Sequence, residues 1–481
     1  MNSRDASGRL LSILRNPGPF ELTEALFLRL LGLIYLAAFG SLWPQMVGLV
    51  GSHGIAPIGQ ALAAMHTQAG ARIFFSIPTL FWFSSTDSAL VWCCVAGCTA
   101  AVSLVLGFFS RSSAAVCFVL YLSLVSAGQP FTAFQWDALL LESGFLALFA
   151  GTRFLVWAYR FLLFRLMFES GLVKLLSGDP NWRNLHAMHF HFMTQPLPNP
   201  LAYYVYRAPT WMLDAMTAGT LGIELIAPFL LFGLRLVRHA GALLLMIMQV
   251  LILLTGNYAF FNFLAFALCL WAFDGRTFAP LERLLGKRVP RLRSGIWESA
   301  LNSLLIVLIA IGAIQVVGMF APGFERPFSK PLTLLAPFQM VNRYGLFAVM
   351  TTTRPEIVIE GSDDQVNWKE YSFRYKPGEL HRELPLVAPH QPRLDWQMWF
   401  AALGDYQENE WVGGLMYRLM QGEATVIGLM NPAPFSKPPR YMRALLYDYS
   451  FTTPEERART GAVWQRRLLR TWFGPVALRG Q

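Results

Sequence analysis

The sequence is poor in charge. Only 14% of its 481 residues are Asp, Glu, Lys or Arg, and 54% are hydrophobic, whereas ordinary soluble domains carry roughly 25% charged residues. The shortage is confined to Leu22–Phe320, where apolar runs of helix length recur; residues 321–481 read as a normal globular sequence. Cysteine is equally scarce. All five (Cys93, Cys94, Cys98, Cys117, Cys269) fall inside apolar segments, so no disulfide framework can be argued for the polar part. Cys94 and Cys98, one helical turn apart, read as small packing residues. There is no Asn-x-Ser/Thr sequon, G-x-S-x-G elbow, phosphate-binding glycine loop, G-x-G-x-x-G or H-E-x-x-H. These absences remove the N-glycosylation, serine-hydrolase, nucleotide, dinucleotide and zinc-protease signatures. No cleavable leader is expected, because Arg4, Arg9 and Arg15 precede an apolar run too long for a signal peptide, with no small-x-small site after it.

What remains is a run of membrane-spanning signals. Crossing about 30 Å of hydrocarbon takes roughly 20 mainly apolar residues. Nine candidates stand out: Leu22–Trp43, Ser88–Phe109, Ser113–Ala127, Thr132–Ala150, Phe154–Leu176, Trp211–Leu234, Ala240–Thr255, Tyr258–Phe273 and Ala300–Phe320. The expected fold is a polytopic α-helical membrane bundle of about nine transmembrane helices (residues 1–320). A small mixed, mainly β C-terminal domain follows (residues 321–481). With the N-terminus in the cytoplasm, the inner connections hold Arg4, Arg9, Arg15, Arg111, Arg153, Arg235, Arg238, Arg276, Arg283, Lys287, Arg288, Arg291 and Arg293. The short outer loops hold only Arg72, Arg183 and Arg207. That asymmetry is the positive-inside pattern. It puts residues 177–209 and the C-terminal domain on the non-cytoplasmic side, and it assigns the net charge of +10 to orientation and membrane lipids, not nucleic acid.

The long first outer loop, Pro44–Asp87, is semi-apolar and is expected to lie along the interface or re-enter the bilayer edge. In the C-terminal part, Glu356–Glu360 and Trp368–Tyr375 alternate at period two around GSDDQVN, which predicts a hairpin. Tyr441–Phe451 alternates again, RLDWQMWFAAL and GGLMYRLMQG read as helices, and Asn431–Arg440 as a proline-rich connector.

FQWDALLLESGFLA (134–147), WRNLHAMHFHFMTQPLPNPLAYY (182–204), RPEIVIEGSDDQVNWKEYSFRYKPG (354–378), VAPHQPRLDWQMWFAALG (387–404) and NPAPFSKPPRYMRALLYDYSFT (431–452) resemble the lipase maturation factor family over nearly the whole chain, in order. The resemblance implies a multipass membrane protein with a C-terminal domain on the luminal or periplasmic side. It also implies a role in bringing secreted lipases to their active, assembled state. His191, Thr194, Gln195 and Pro196, with Trp182 and Arg183, match the family's outer-loop motif; His186 and His189 depart from it. A shorter likeness, MFESGLVKLLSGDPNW (167–182), is similar to the vitamin K-dependent γ-glutamyl carboxylases, in which the lysine of this stretch, matching Lys174 here, belongs to the active site.

Ionisable groups inside apolar helices are costly and call for named partners. They are Asp137, Glu142, Arg160, Arg165, Glu169, Lys174 and Glu224. The bland reading is an ion-pair network fixing helix register, with Arg165 and Glu169 pairing four residues apart. The sharper reading is a polar cavity in which Lys174 acts as a base opposite Glu142 or Asp137. His186, His189 and His191 form H-x-x-H-x-H, a metal-ligand spacing that lacks a completing cysteine or carboxylate apart from Asp179 and Asp214. The alternative is a rigid outer connector stiffened by Pro196, Pro198 and Pro200. Trp368, Trp396, Trp399 and Tyr447 are candidates for an aromatic client-facing surface, or simply for the core of a small domain.

The resulting expectation is a membrane-anchored maturation factor for secreted clients that uses no cofactor and is not an enzyme. A carboxylase-related membrane enzyme around Lys174 and a lipid or small-molecule carrier are the rivals. The absent sequons and the cysteine-free C-terminal domain point to a bacterial inner membrane, or to the endoplasmic reticulum if the source is eukaryotic.

Overall fold

The computed structural model of the chain describes residues 20–285 and 295–478. Arg4, Arg9, Arg15, Lys287, Arg288, Arg291 and Arg293 lie outside the described residues. Every apolar run named above forms a helix, but six, not nine, are long and apolar enough to cross a membrane. These are α1 (Glu21–Val50), α3 (Asp87–Leu106), α4 (Ser110–Ala127), α10 (Thr210–Leu230), α11 (Arg235–Thr255) and α13 (Ile296–Phe320), with α2 (Ile58–Ala69) between the first two. The other three fall short for different reasons. Helix α5 (Gln135–Ala147) has 13 residues, about 20 Å at 1.5 Å per residue. Helix α12 (Phe261–Cys269) is short even with the 3-10 turn that extends it to Ala272. Helix α6 (Leu155–Leu176) has the length, 22 residues, but carries Arg160, Arg165, Glu169 and Lys174, too many charges for a lipid-facing span.

Helix α1 is the axis of the bundle. Phe27, Leu31, Tyr35 and Phe39 recur every four residues, with Leu42 and Met46 above them, and all are fully buried. Packing of this kind, rather than exclusion of water, holds apolar helices together in a membrane. The helix runs through Pro44 to Val50, so the expected boundary at Trp43 is too early and the outer loop correspondingly shorter. Around it lie α3, α4, α5 and α12. Thr86 caps the start of α3, and Gly107, left-handed at φ 75°, ends it. Helix α6 packs on α10 and α13, and α10 on α11.

Between α6 and α10 the chain folds into three short helices, α7 (Pro180–Arg183), α8 (Met188–Thr194) and α9 (Pro200–Val205). Asp179 and Asn199 cap α7 and α9 with their carbonyl-type oxygens, and each helix starts on a proline. After α13 comes a four-stranded antiparallel sheet in the order β2-β1-β3-β4. Its strands are β1 (Arg354–Ser362), β2 (Lys369–Tyr371), β3 (Tyr441–Phe451) and β4 (Trp464–Ala477). The expected hairpin is β1–β2, with Ile359 opposite Tyr371. Helices α14 (Arg393–Ala402) and α15 (Trp411–Gln421) intervene, and α14 lies against β1. One apolar core runs without a break from α1 to α14 and the sheet.

Candidate functional site at the junction of bundle and sheet

The ionisable side chains of the bundle do form pairs, but with partners that the sequence reading did not name. Asp137, at the start of α5, accepts both guanidinium nitrogens of Arg393 at 2.6 and 2.7 Å and the hydroxyl of Tyr121 at 2.5 Å. Arg393 also donates to the Phe131 carbonyl at 3.0 Å. Both members of this pair are essentially inaccessible to solvent, and they lie 256 positions apart in the chain. Beside them, Ser41 and Gln45 of α1 accept from the backbone N–H groups of Gln391 and Arg393, each at 2.8 Å. The start of α14 is therefore stitched into the end of the bundle where α1 finishes and α5 begins.

Arg165 pairs with Glu142 of α5, not with Glu169 as expected. The reason is the segment after α13. Asn342 N–H and the Tyr344 hydroxyl both donate to Glu142 at 2.9 Å, and Tyr344 N–H donates to Glu169 at 2.7 Å. Glu169 thus serves as a backbone acceptor, which the i, i+4 rule could not anticipate.

Lys174 likewise meets neither Glu142 nor Asp137. Its ammonium lies 2.9 and 2.7 Å from the two oxygens of Glu224 on α10 and 3.1 Å from the Ser170 carbonyl, with the Trp182 ring 5.2 Å away. All three contacts are to oxygen acceptors, which seats Lys174 as one half of an ion pair with Glu224. Gly171 permits this approach, since a Cβ there would fall 2.9 Å from Glu224 Cβ. At the other end of α6, Arg160 donates to the Trp271 carbonyl at 2.8 Å and Arg238 to that of Ala272 at 2.5 Å. Both cap the final carbonyls that follow α12.

The connector is gripped from the sheet side. Arg354 of β1 donates to the carbonyls of Met193, Gln195 and Pro196 at 2.8, 2.5 and 2.8 Å. It is also paired with Glu356, which Lys376 reaches at 2.8 Å. Trp399 donates to Thr194 O at 3.0 Å, Trp182 to Phe347 O at 2.9 Å, and Asp179 accepts Met350 N–H at 2.6 Å. Arg183 is exposed and reaches the Leu175 carbonyl at 3.3 Å.

The three histidines separate. His189 bonds Asp214 at 2.7 Å and meets the His186 ring edge-on, whereas His191 turns to the Tyr258 hydroxyl at 3.3 Å. No group of three His, Cys, Asp or Glu side chains suited to a metal converges among the described residues. Burial, and then the charge of Lys174, push the His191 imidazole down to about 4, so it is neutral at physiological pH.

These elements enclose a cavity of about 450 Å³. Lys174, Glu224, His191 and Gln249 are among its polar residues, with Gln135, Ser170, Thr220 and Thr351; Trp136, Phe347, Trp396 and Trp399 are among its apolar ones. Trp396 and Trp399 are therefore buried inside the junction rather than displayed to a client. Trp368 and Tyr447 lie apart from the cavity, each beneath an arginine (Arg443 at 4.1 Å and Arg466 at 4.5 Å). Val349, Phe400 and Leu403 line the cavity and stay exposed at 66%, 42% and 45%, forming an apolar rim that composition did not reveal. Sequence reasoning also missed Arg393 and Arg354. Each is an arginine at the first position of its element, and only Arg393 meets an acid of the bundle, Asp137.

Comparison with known proteins covers nearly all of this architecture. The family model of the lipase maturation factor transmembrane domain matches residues 22–280, and that of the lipase maturation factor C-terminal domain matches residues 340–474. Lipase maturation factor 1 of Bos taurus is 33% identical over 98% of this chain and 92% of its own length. Lipase maturation factor 2 of Gallus gallus is 34% identical over 92% of this chain and 79% of its own. Lipase maturation factor 1 of Homo sapiens is 31% identical over 96% and 89%. No solved structure matches.

Proposed function

The chain belongs to the lipase maturation factor family, and from that premise we propose that it is a multipass membrane maturation factor whose clients are secreted lipases. The observation that carries the reading beyond the family name is the apolar rim of Val349, Phe400 and Leu403. Exposed apolar surface beside a polar domain is what a holder of partly folded chains requires. The rim is built on a domain that the Asp137–Arg393 pair and the Arg354 clamp fix to the bundle.

In this reading, residues 1–320 anchor and residues 321–481 engage the client. Both the connector and the C-terminal domain face the compartment into which exported chains emerge. Loop charge supports that orientation. A reporter fused after Gln481 is expected to be active only on the non-cytoplasmic side, and cytosolic activity would contradict it. The functional test is co-expression with a secreted lipase. Phe400→Asp together with Leu403→Asp is expected to leave the protein's level and melting unchanged while active lipase output falls severalfold. Undiminished output would overturn the role given to the rim.

A further inference from the structure

The cavity has a charge balance and a hydrogen-bond vacancy that together describe an occupant. Lys174 and Glu224 neutralise each other at 2.7 Å and are both buried. An added ionic headgroup would therefore meet no counter-charge and would bear its full desolvation cost. Gln195 fixes the polarity of the remaining corner. Its amide donates to the Thr255 carbonyl at 2.8 Å, so its oxygen accepts the Tyr258 hydroxyl proton at 2.9 Å. The Tyr258 oxygen is then left to accept, and His191 Nε2, 3.3 Å away, is the donor. A neutral imidazole protonated on Nε2 carries a lone pair on Nδ1. That atom has no hydrogen-bond partner among the described residues, although the ring lines the cavity. The remaining wall is mainly aromatic and aliphatic and opens past the exposed rim. The volume of about 450 Å³ falls in the range of roughly 300–1,000 Å³ typical of small-molecule sites.

We propose that this cavity binds a neutral single-chain amphiphile, a hydroxyl-bearing acyl lipid of the monoacylglycerol kind. Its hydroxyl donates to His191, and its chain leaves past Val349, Phe400 and Leu403. Nothing in the family assignment requires such a ligand, and the proposal does not depend on the maturation reading, because binding is measured on the isolated full chain without a lipase.

The experiment uses the purified full-length chain in nanodiscs with three radiolabelled probes that share one acyl chain: 1-monooleoylglycerol, methyl oleate and oleate. The glyceride is expected to bind saturably at one per chain. Methyl oleate, which cannot donate, should bind about fivefold more weakly, the worth of one hydrogen bond, and oleate more weakly than either. His191→Phe keeps a ring but removes the acceptor, so the glyceride should fall to the level of methyl oleate while methyl oleate itself is unchanged. Met248→Trp fills the cavity and Leu403→Trp narrows its mouth; each should depress binding of all three probes. The second, at a half-exposed site, remains informative if the first does not fold. Absence of saturable glyceride binding, tighter binding of oleate, or an unchanged preference for the glyceride in His191→Phe would overturn the proposal.

Discussion

The two ends of helix α6 use their charges in opposite ways. At one end, Arg160, with Arg238 beside it, points into backbone carbonyls at the close of a neighbouring helix and finishes a structure that is local to the bundle. At the other, Arg165, Glu169 and Lys174 reach α5, α10 and the segment after α13, next to the Asp137–Arg393 pair. Charge at the first end completes a helix. Charge at the second joins parts of the chain far apart in sequence, and it is where the family's motifs converge. Buried ion pairs are poor sources of net stability, because desolvation offsets the attraction, yet breaking one leaves an uncompensated charge. Their value here is in specifying one docking arrangement.

That contrast can be broken most severely at the junction. Arg393→Ala strands Asp137 and is expected to cost about 3–5 kcal/mol, the usual toll for orphaning a buried charge. It should appear as a large drop in detergent melting temperature and as new protease cleavage between α13 and β1. Lys174→Met, which strands Glu224, should have an effect of similar kind. Because both Lys174 and Glu224 belong to the bundle, it should destabilise without releasing the C-terminal domain; selective release of that domain would blur the distinction. A smaller effect is expected from pH. His191 is held near 4 and burial lowers His390 as well, whereas an unfolded histidine protonates near 6.5. Below that pH the unfolded state binds more protons. The stability from these imidazoles is complete above about pH 6.5 and declines as pH falls toward 4. His191→Phe should flatten that part of a melting-temperature profile. The smallest change belongs to the sheet surface: Arg466→Gln breaks a pair with Glu370 that is partly solvated and should cost no more than about 1 kcal/mol.

Much of this was legible in the chain before its structure. Apolar runs mark the helices because lipid tolerates no other pattern of that length, and period-two alternation marks β1, β2 and β3. Strand β4 was not foreseen. Its WQRRLLRTWF pairs like with like instead of alternating, and its ladder to β3 is interrupted by register shifts that let such a sequence fit. Of the nine expected spans, six have the length and hydropathy of a crossing among the described residues; the other three are runs that hydropathy alone does not assign to lipid or to protein contact. Helices α5 and α12 are apolar because they are buried inside the bundle. The buried acids were recognised as needing partners, but local rules supplied the wrong ones. Asp137 takes its cation from Arg393, 256 positions away, and Glu142, besides pairing with Arg165, accepts the hydroxyl of Tyr344, 202 positions away. The rim of Val349, Phe400 and Leu403 was invisible for the same reason, since it exists only once α14 and the segment after α13 meet.

The most direct measurement is a double-substitution cycle across Asp137 and Arg393, read as active lipase released by cells co-expressing the two proteins. If the pair matters only by fixing the domain on the bundle, Asp137→Leu and Arg393→Met should each abolish most release. The two together, two apolar groups facing one another, should restore a large share of it. A double variant as inactive as either single one, with its domain still docked and protease-resistant, would contradict the account.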